Sequence, residues 1–278
     1  MGERIFFPLE PPPCSSHCIE RRFVTQSPIF LLDDGPLFAV WKPAGLATQA
    51  PAEFPSLEAQ MKAWLRLREQ KIGNVYLGVP QRLDRPVSGV ILFTRHVRAA
   101  RKVSDQFERR QVRKTYWACV EGIVDPPAGT WQDHLKKIYG KPRAEVVPPD
   151  DPAGREAVLH YRTLGLWRRK GVAEPLADRA HHGSWLEINL ETGRTHQIRL
   201  QASSRGHPIV GDAFYDARST FGAADVEERL RPIALHARRI ELKHPMTGAP
   251  LAVTAPLPQT WQELGLPPTA VDYLETDS

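Results

Sequence analysis

The sequence has few cysteines and no long hydrophobic run. Three cysteines in 278 residues exclude a disulfide framework as the main source of stability. No stretch approaches the ~18 uninterrupted apolar residues that a membrane-spanning helix requires. The N-terminal residues lack an apolar segment followed by a small-residue cleavage site, so we expect no secretion signal. These absences predict a soluble, cytoplasmic protein.

The sequence also lacks the glycine patterns that bind nucleotides. It contains neither a phosphate-binding loop before a Lys-Ser/Thr pair nor a G-x-G-x-x-G pattern. Cys14, His17 and Cys18 lie close together, but a structural zinc site usually has two spaced pairs of ligands, and no second pair is evident. We therefore expect no metal and no nucleotide cofactor.

Positive charge is in excess, and it is concentrated. The formal net charge is +5 and the calculated pI is about 9.2, which suits a polyanionic partner without requiring one. Residues 95–114 contain eight cations and only two acids; the cations are Arg95, Arg98, Arg101, Lys102, Arg109, Arg110, Arg113 and Lys114. We expect Arg101 and Lys102 to contact phosphates, and the alternative is a solvated helix face.

Composition divides the chain into two parts. Residues 1–28 are rich in proline and aperiodic, so they predict an extended arm that is too short to pack as a domain without further links. Residues 29–278 have the length and apolar content of one large domain. Within them, residues 168–183 form a loop rich in cations, which is a candidate for local substrate contacts.

Apolar periodicity predicts the main elements of this domain. The expected strands are Ile29–Asp33, Leu37–Lys42, Val90–Phe93, Lys114–Gly122 and Val158–Leu166, with further strands near Trp131 and at Trp185–Leu190. The expected helices run from Ser56 to about Gln70, over Val97–Arg110, and from a Thr195 cap to Gly206.

One carboxylate stands out because of its surroundings. Asp84 lies between Arg82 and Arg85, and turn residues Pro86 and Gly89 follow it before a buried strand. A constrained loop on a rigid strand is a common place for a reactive group. The alternative interpretation is a surface acid paired with a neighbouring arginine.

Residues 81–89 (Q-R-L-D-R-P-V-S-G) resemble the H-R-L-D-x-x-T-S-G signature of the RluA-type pseudouridine synthases. In this family the signature aspartate, here Asp84, is the nucleophile that isomerises uridine in RNA. The sequence departs from the signature at Gln81, where His is usual, and at Val87, where Thr is usual.

Three further motifs and one strand extend the resemblance over about residues 31–264 in matching order. The pattern D-x-x-L-x-V-x-K-P-A-G-L places Lys42 near the cleft, and Lys42 is counted among the substrate-binding residues. The strand K-x-Y-x-A-x-V-x-G carries Tyr116, which in the family stacks on the target base. Cys119, on the same strand as Tyr116, is expected to be buried and inert. The closing L-H-A motif begins at Leu235.

Residues 190–212 (L-E-T-G-R-T-H-Q-I-R-L through G-H-P-I-V-G-D) resemble the family's third motif. By this match Arg199 is the partner of Asp84, and we expect a bidentate pair that keeps the acid ionised. A surface arginine is the alternative. Leu200 follows in the motif and is counted among the substrate-binding residues, whereas His196 and His207 are expected to be structural hydrogen-bonding residues.

The resemblance implies an α+β fold, with a mixed, largely antiparallel sheet, flanking helices and a central basic cleft. It implies a monomer that binds rRNA or tRNA, flips out a uridine, places Arg82 in the vacated stack and contacts the base with Tyr116. Asp84 attacks the sugar or assists loss of the base. This chemistry needs no cofactor.

Two other function classes stay open. Gln81 and Val87 favour an RNA-binding or ribosome-assembly factor without catalysis, although such a protein has no use for an acid among cations. A glycosidase would generally pair two carboxylates, and no second acid stands beside Asp84 in the sequence.

Overall fold

The computed structural model describes residues 27–141, 143–171, 181–223, 226–267 and 271–274. The predicted N-terminal arm lies almost wholly outside these ranges, and so do Cys14, His17 and Cys18. Most of the cation-rich loop at 168–183 is outside them as well. The domain organisation and the role of that loop therefore stay predictions.

Ten strands form one sheet within the described residues. They are β1 (Ile29–Asp34), β2 (Leu37–Lys42), β3 (Ser88–Thr94), β4 (Arg113–Glu121), β5 (Ala128–Lys137), β6 (Ala144–Val147), β7 (Arg155–Arg168), β8 (His182–Leu190), β9 (Leu235–Lys243) and β10 (Pro250–Thr254). Their order is β1-β2-β3-β9-β4-β8-β7-β5-β6, and β10 pairs with β9. All of these pairings are antiparallel except that of β3 with β9.

The central strands are covered on both faces. All residues of β2 and β3 are buried, and alternate β2 side chains enter opposite cores, as strand geometry requires. Phe38 packs in the larger core together with Met61 of helix α1 (Leu57–Arg68). Ala39 packs in a second core with Val103 of helix α2 (Val97–Glu108).

The helix predictions are confirmed in position and corrected at two ends. Ser56 caps α1, and its Oγ accepts a hydrogen bond from the Ala59 N–H at 3.2 Å. Helix α3 spans Gln197–Ser203, so Thr195 is not its cap. The N-cap is His196, which has a left-handed backbone (φ 53°), and the helix ends before Gly206.

Gly89 makes the single parallel pairing of the described sheet geometrically feasible. In the β3–β9 pair, Gly89 lies opposite Ala237. Its φ is +124°, and a Cβ atom there would lie 2.3 Å from the Ala237 carbonyl oxygen. Only glycine fits this close approach, which brings the end of the Asp84 loop against β9.

The observed architecture confirms the predicted α+β fold with a mixed, mainly antiparallel sheet. Observed strand bounds agree with the predicted ones to within a residue or two for β1, β2, β4 and the end of β8, while β3 and β7 extend further than expected. In the described part of the chain, no helix is long and apolar enough to cross a membrane.

Candidate active site

The loop that carries Asp84 is fixed by hydrogen bonds on both sides of the acid. Thr48 clamps the residue before it: its Oγ donates to the Leu83 carbonyl oxygen at 2.9 Å and accepts from the Leu83 N–H at 3.1 Å. The Val87 N–H closes a turn onto the Asp84 carbonyl oxygen at 3.1 Å. The carboxylate therefore projects from a backbone with little freedom to move.

The residues after Asp84 are held in the same way. The Arg85 carbonyl oxygen accepts from the Gly45 N–H at 2.8 Å and from the Lys42 ammonium at 3.2 Å. The Pro86 carbonyl oxygen accepts from the Ile233 N–H at 3.2 Å. Segments far apart in the sequence thus converge on one short loop.

Lys42 lies beneath this loop and is fully buried. Its Nζ donates to the carbonyl oxygens of Leu46 at 2.6 Å and Pro43 at 2.9 Å, in addition to Arg85. Burial lowers the pKa of Lys42 to about 7, and the negative charge of Asp84 opposes that shift. The structure therefore places Lys42 near the cleft, as expected, but with its ammonium directed at the protein backbone.

Arg199 contacts two carboxylates, Asp212 and Asp84, and its shorter contacts are with Asp212. Its Nε and Nη2 donate to Asp212 at 2.7 Å each, a bidentate pair. Its Nη1 lies 3.5 Å from the Asp84 Oδ2. The expected contact with Asp84 is present, but the expected bidentate geometry is wrong. Asp212 takes that position because it is 1% exposed and needs full compensation of its charge.

His196 also faces Asp84. Its Nε2 lies 3.7 Å from the Asp84 Oδ2, and its Nδ1 lies 2.9 Å from the Tyr215 hydroxyl. The Ala144 N–H donates to that hydroxyl, which leaves the hydroxyl proton available for Nδ1. Burial is the main cause that lowers the pKa of His196, so a neutral imidazole borders the acid at neutral pH.

These groups open into a cavity of about 330 Å³. Tyr116 forms one wall, at a point where the β4–β9 register is irregular; such irregularities re-aim side chains. Burial and the charge of Asp84 raise the pKa of Tyr116, so its hydroxyl stays protonated. Lys114 and Arg194 contribute cations to the lining, and burial lowers the pKa of Lys114.

A second cavity, of about 1010 Å³, meets the first at Asp84, His196 and Arg199. Ala213 and Phe214 of the 3₁₀ turn Ala213–Tyr215 line it, together with residues 219–223. Asp84 is 34% exposed and is therefore accessible from both cavities, whereas its partner Arg199 is 5% exposed.

The remaining predicted site residues fall in three settings. Arg82 is exposed and lines the smaller cavity beside Asp84. Arg101 and Lys102 are exposed on α2 and are not among the residues that line either cavity. Leu200 packs in a small core with Tyr215 and does not line either cavity. The substrate contacts expected of these residues stay predictions.

The two departures from the family signature, Gln81 and Val87, both line the smaller cavity together with Asp84. Val87 is buried in the larger core, and the bond it makes to the Asp84 carbonyl oxygen comes from its backbone N–H, which any residue except proline supplies. Gln81 lines the smaller cavity. The Asp84 carboxylate has its polar contacts with Arg199 and His196.

Sequence reasoning missed Asp212, Tyr215 and Thr48 as parts of the site. Asp212 is the last residue of the third motif, but its distance from Arg199 along the sequence does not show that the two side chains form a pair. Among the described residues, no group of three His, Cys, Asp or Glu side chains is placed to hold a metal ion.

An acid on a rigid loop, a buried arginine against it and an aromatic wall suit chemistry on a base held away from its stack. Residues 36–204 match the family model described as RNA pseudouridylate synthase. The chain belongs to this family, and it is an RNA pseudouridine synthase. The resemblance seen in the four motifs is confirmed.

Two curated relatives cover most of the chain. It is 32% identical to tRNA pseudouridine synthase C of Salmonella typhi over 241 residues, which are 84% of this chain and 87% of the relative. It is 33% identical to ribosomal large subunit pseudouridine synthase D of Xanthomonas campestris over 241 residues, 84% of this chain and 67% of the relative.

A solved structure shares the fold. The structure titled Human RNA Pseudouridylate Synthase Domain Containing 4 superposes with a TM-score of 0.65 at 22% identity, and the match covers 90% of this chain and 97% of that chain. The similarity supports the α+β architecture.

Proposed function

We propose that this protein converts uridine to pseudouridine in structured rRNA or tRNA, with Asp84 as the nucleophile. The observation that carries the proposal is the Asp84 carboxylate itself: one third exposed, on a clamped loop, 3.5 Å from a buried arginine and open to a cavity. The names of the two relatives support rRNA or tRNA as the substrate class.

In the proposed reaction, the Asp84 carboxylate attacks C1′ of the ribose or assists departure of the uracil. The N1–C1′ bond breaks, the uracil turns within the cavity, and a C5–C1′ bond forms. C5 then loses its proton and N1 gains one, so atoms and charge balance without an oxidant or reductant. Arg199 places a fixed positive charge 3.5 Å from the carboxylate and orients it.

The cavity wall supplies the contacts to the base. Tyr116 offers a flat, rigid ring against which an extruded uracil packs at low entropic cost. Arg82 is exposed beside the acid, a position that suits insertion into the stack that the uracil leaves. Leu200 packs in the small core with Tyr215, and its contact with the substrate stays a prediction.

Lys42 acts in this proposal through the loop and not through the substrate. Its ammonium binds the Arg85 carbonyl oxygen, one residue after Asp84, and lies out of contact with solvent. We also propose that the enzyme acts as a monomer. We propose that it acts in the cytoplasm, where its RNA substrates would lie.

The test is the Asp84→Asn variant, because the amide has almost the same shape but no charge. We expect loss of pseudouridine formation in total tRNA and rRNA, with RNA binding and thermal stability retained. Asp105→Asn on the exposed face of α2 is the matched control and should behave as the wild type. Full turnover by Asp84→Asn would reject Asp84 as the nucleophile.

The same measurement separates the enzyme from the non-catalytic RNA-binding factor. If wild-type protein binds RNA but produces no pseudouridine in any RNA fraction, the non-catalytic interpretation holds. Pseudouridine that appears with the wild type and disappears with Asp84→Asn excludes it.

A further inference from the structure

Phe214 is a large apolar side chain that is exposed at the candidate active site. Its side chain is 42% exposed, while its neighbour Tyr215 is 1% exposed. Both belong to the 3₁₀ turn after Asp212. An exposed aromatic ring is ordinary in itself, so its surroundings decide what it does.

Those surroundings are cationic and close to the reacting group. The Arg143 guanidinium carbon lies 5.3 Å from the centre of the Phe214 ring, and that of Arg199 lies 5.7 Å from it. The His196 ring is 6.1 Å from the Phe214 ring. Since the other edge of His196 contacts Asp84, one imidazole separates the Phe214 ring from the carboxylate.

The turn that presents Phe214 is held rigidly. The Asp212 carboxylate makes its bidentate pair with Arg199, and its carbonyl oxygen accepts from the Tyr215 N–H at 2.9 Å. On the far side, Glu121 accepts from the N–H groups of Arg218 and Ser219 at 2.8 and 2.7 Å. A ring held in this way loses little entropy when a ligand stacks on it.

We propose that Phe214 and Arg143 form a stacking subsite for the base of a nucleotide adjacent to the target uridine. This inference rests on the proposed function. The target base occupies the smaller cavity, and the flanking base enters the larger one, which shares Asp84 and His196 with it. Aromatic rings flanked by arginine bind unstacked bases of single-stranded RNA with little sequence preference.

The experiment measures binding of a short single-stranded RNA with a single uridine between two adenosines. Two further RNAs carry an abasic ribose in place of the 5′ or the 3′ adenosine. Removal of the base that stacks on Phe214 should weaken binding to the wild type by about 5- to 100-fold. Phe214→Ala should bind the intact RNA with a similar loss, and the abasic ribose should cost this variant little more.

Three variants make the result specific. Phe214→Leu keeps apolar bulk without an aromatic face and should show the same loss as Phe214→Ala, which guards against a folding defect in the smaller variant. Phe214→Trp should retain tight binding. Phe54→Ala removes a ring of similar exposure, 39%, that lines neither cavity, and it should bind as the wild type.

Equal losses on base removal in the wild type and in Phe214→Ala would overturn the subsite, and so would a loss in Phe54→Ala as large as that in Phe214→Ala. Pseudouridine formation by the wild type is measured separately. If the wild type forms no pseudouridine but base removal weakens its binding more than that of Phe214→Ala, the proposed function fails and the subsite stands. If the wild type forms pseudouridine but base removal weakens both proteins equally, only the subsite fails.

Discussion

Asp212→Asn tests the arrangement of charges around Asp84 more directly than a change in Asp84 itself. The amide retains the shape of the carboxylate and one acceptor oxygen. It loses the negative charge that accepts two 2.7 Å hydrogen bonds from Arg199. Arg199 is then a buried cation with a single remaining carboxylate, Asp84, at 3.5 Å.

The expected cost follows from burial. Removal of one partner of a buried ion pair typically destabilises a protein by about 3–5 kcal/mol. We expect about 3 kcal/mol here, the lower end, because Asp84 still compensates part of the charge. Arg199 should also turn from Asp212 toward Asp84, and a displacement of this kind near a reacting group can reduce turnover by about 10²-fold.

Urea unfolding and pseudouridine formation at saturating RNA measure the two effects. Asp133→Asn is the control, since Asp133 also pairs with an arginine, Arg205, at 2.8 Å, but at a partly exposed position. It should cost no more than about 1 kcal/mol and leave turnover unchanged. Asp84→Asn should differ from both variants: it should lose turnover while its unfolding free energy stays close to that of the wild type.

The reasoning is refuted if Asp212→Asn unfolds within about 1 kcal/mol of the wild type and retains its turnover. That outcome would mean that the bidentate pair neither stabilises the fold nor orients Arg199.

Further predictions concern Lys42, the basic helix and Arg82. Burial lowers the pKa of Lys42 from 10.5 to about 7, so between these pH values only the unfolded chain binds the proton. The unfolding free energy of the wild type relative to Lys42→Met should therefore rise with pH over this range, by up to about 1.4 kcal/mol per pH unit. A difference between the two proteins that stays constant from pH 7 to 9 contradicts this prediction. Neutralisation of Arg101 or Lys102 should each flatten the log–log salt dependence of RNA affinity by ~1 without an effect on turnover at saturation; charge reversal at both positions that leaves affinity and slope unchanged favours a solvated face. Arg82→Ala should reduce turnover more on structured RNA than on an RNA with an already unpaired uridine, because less unstacking is then needed; equal losses on both would assign Arg82 a structural role.

Strands and helix ends could be predicted from the sequence because they depend on interactions between residues that are near one another in the chain. Alternation and turn residues located β2 and β4, and a serine before an apolar helical pattern located the start of α1. The Asp84–Arg199 proximity was available only through the family resemblance, since the two residues are 115 positions apart and no local rule connects them.

The misses depend on side-chain contacts that residue type and spacing do not reveal. Thr195 has the residue type of a cap, but the Gln197 side chain accepts from the Arg194 N–H at 3.0 Å and from the Thr192 hydroxyl at 2.8 Å. This network orders the approach to α3 and leaves His196 in a left-handed conformation at its start. The role of Asp212 depends on its burial against Arg199, which spacing does not reveal.

The position of β9 has a consequence for how the protein is made. This strand, from the C-terminal part of the chain, lies between β3 and β4 and joins the first three strands to the rest of the sheet. Its approach segment also supplies the Ile233 N–H that holds the Asp84 loop. We therefore expect the Asp84 loop to reach its final form only after the ribosome has released the chain through residue 243. Contacts this distant in sequence favour slow folding. A nascent chain would then acquire the ability to modify RNA only after β9 has been synthesised and released.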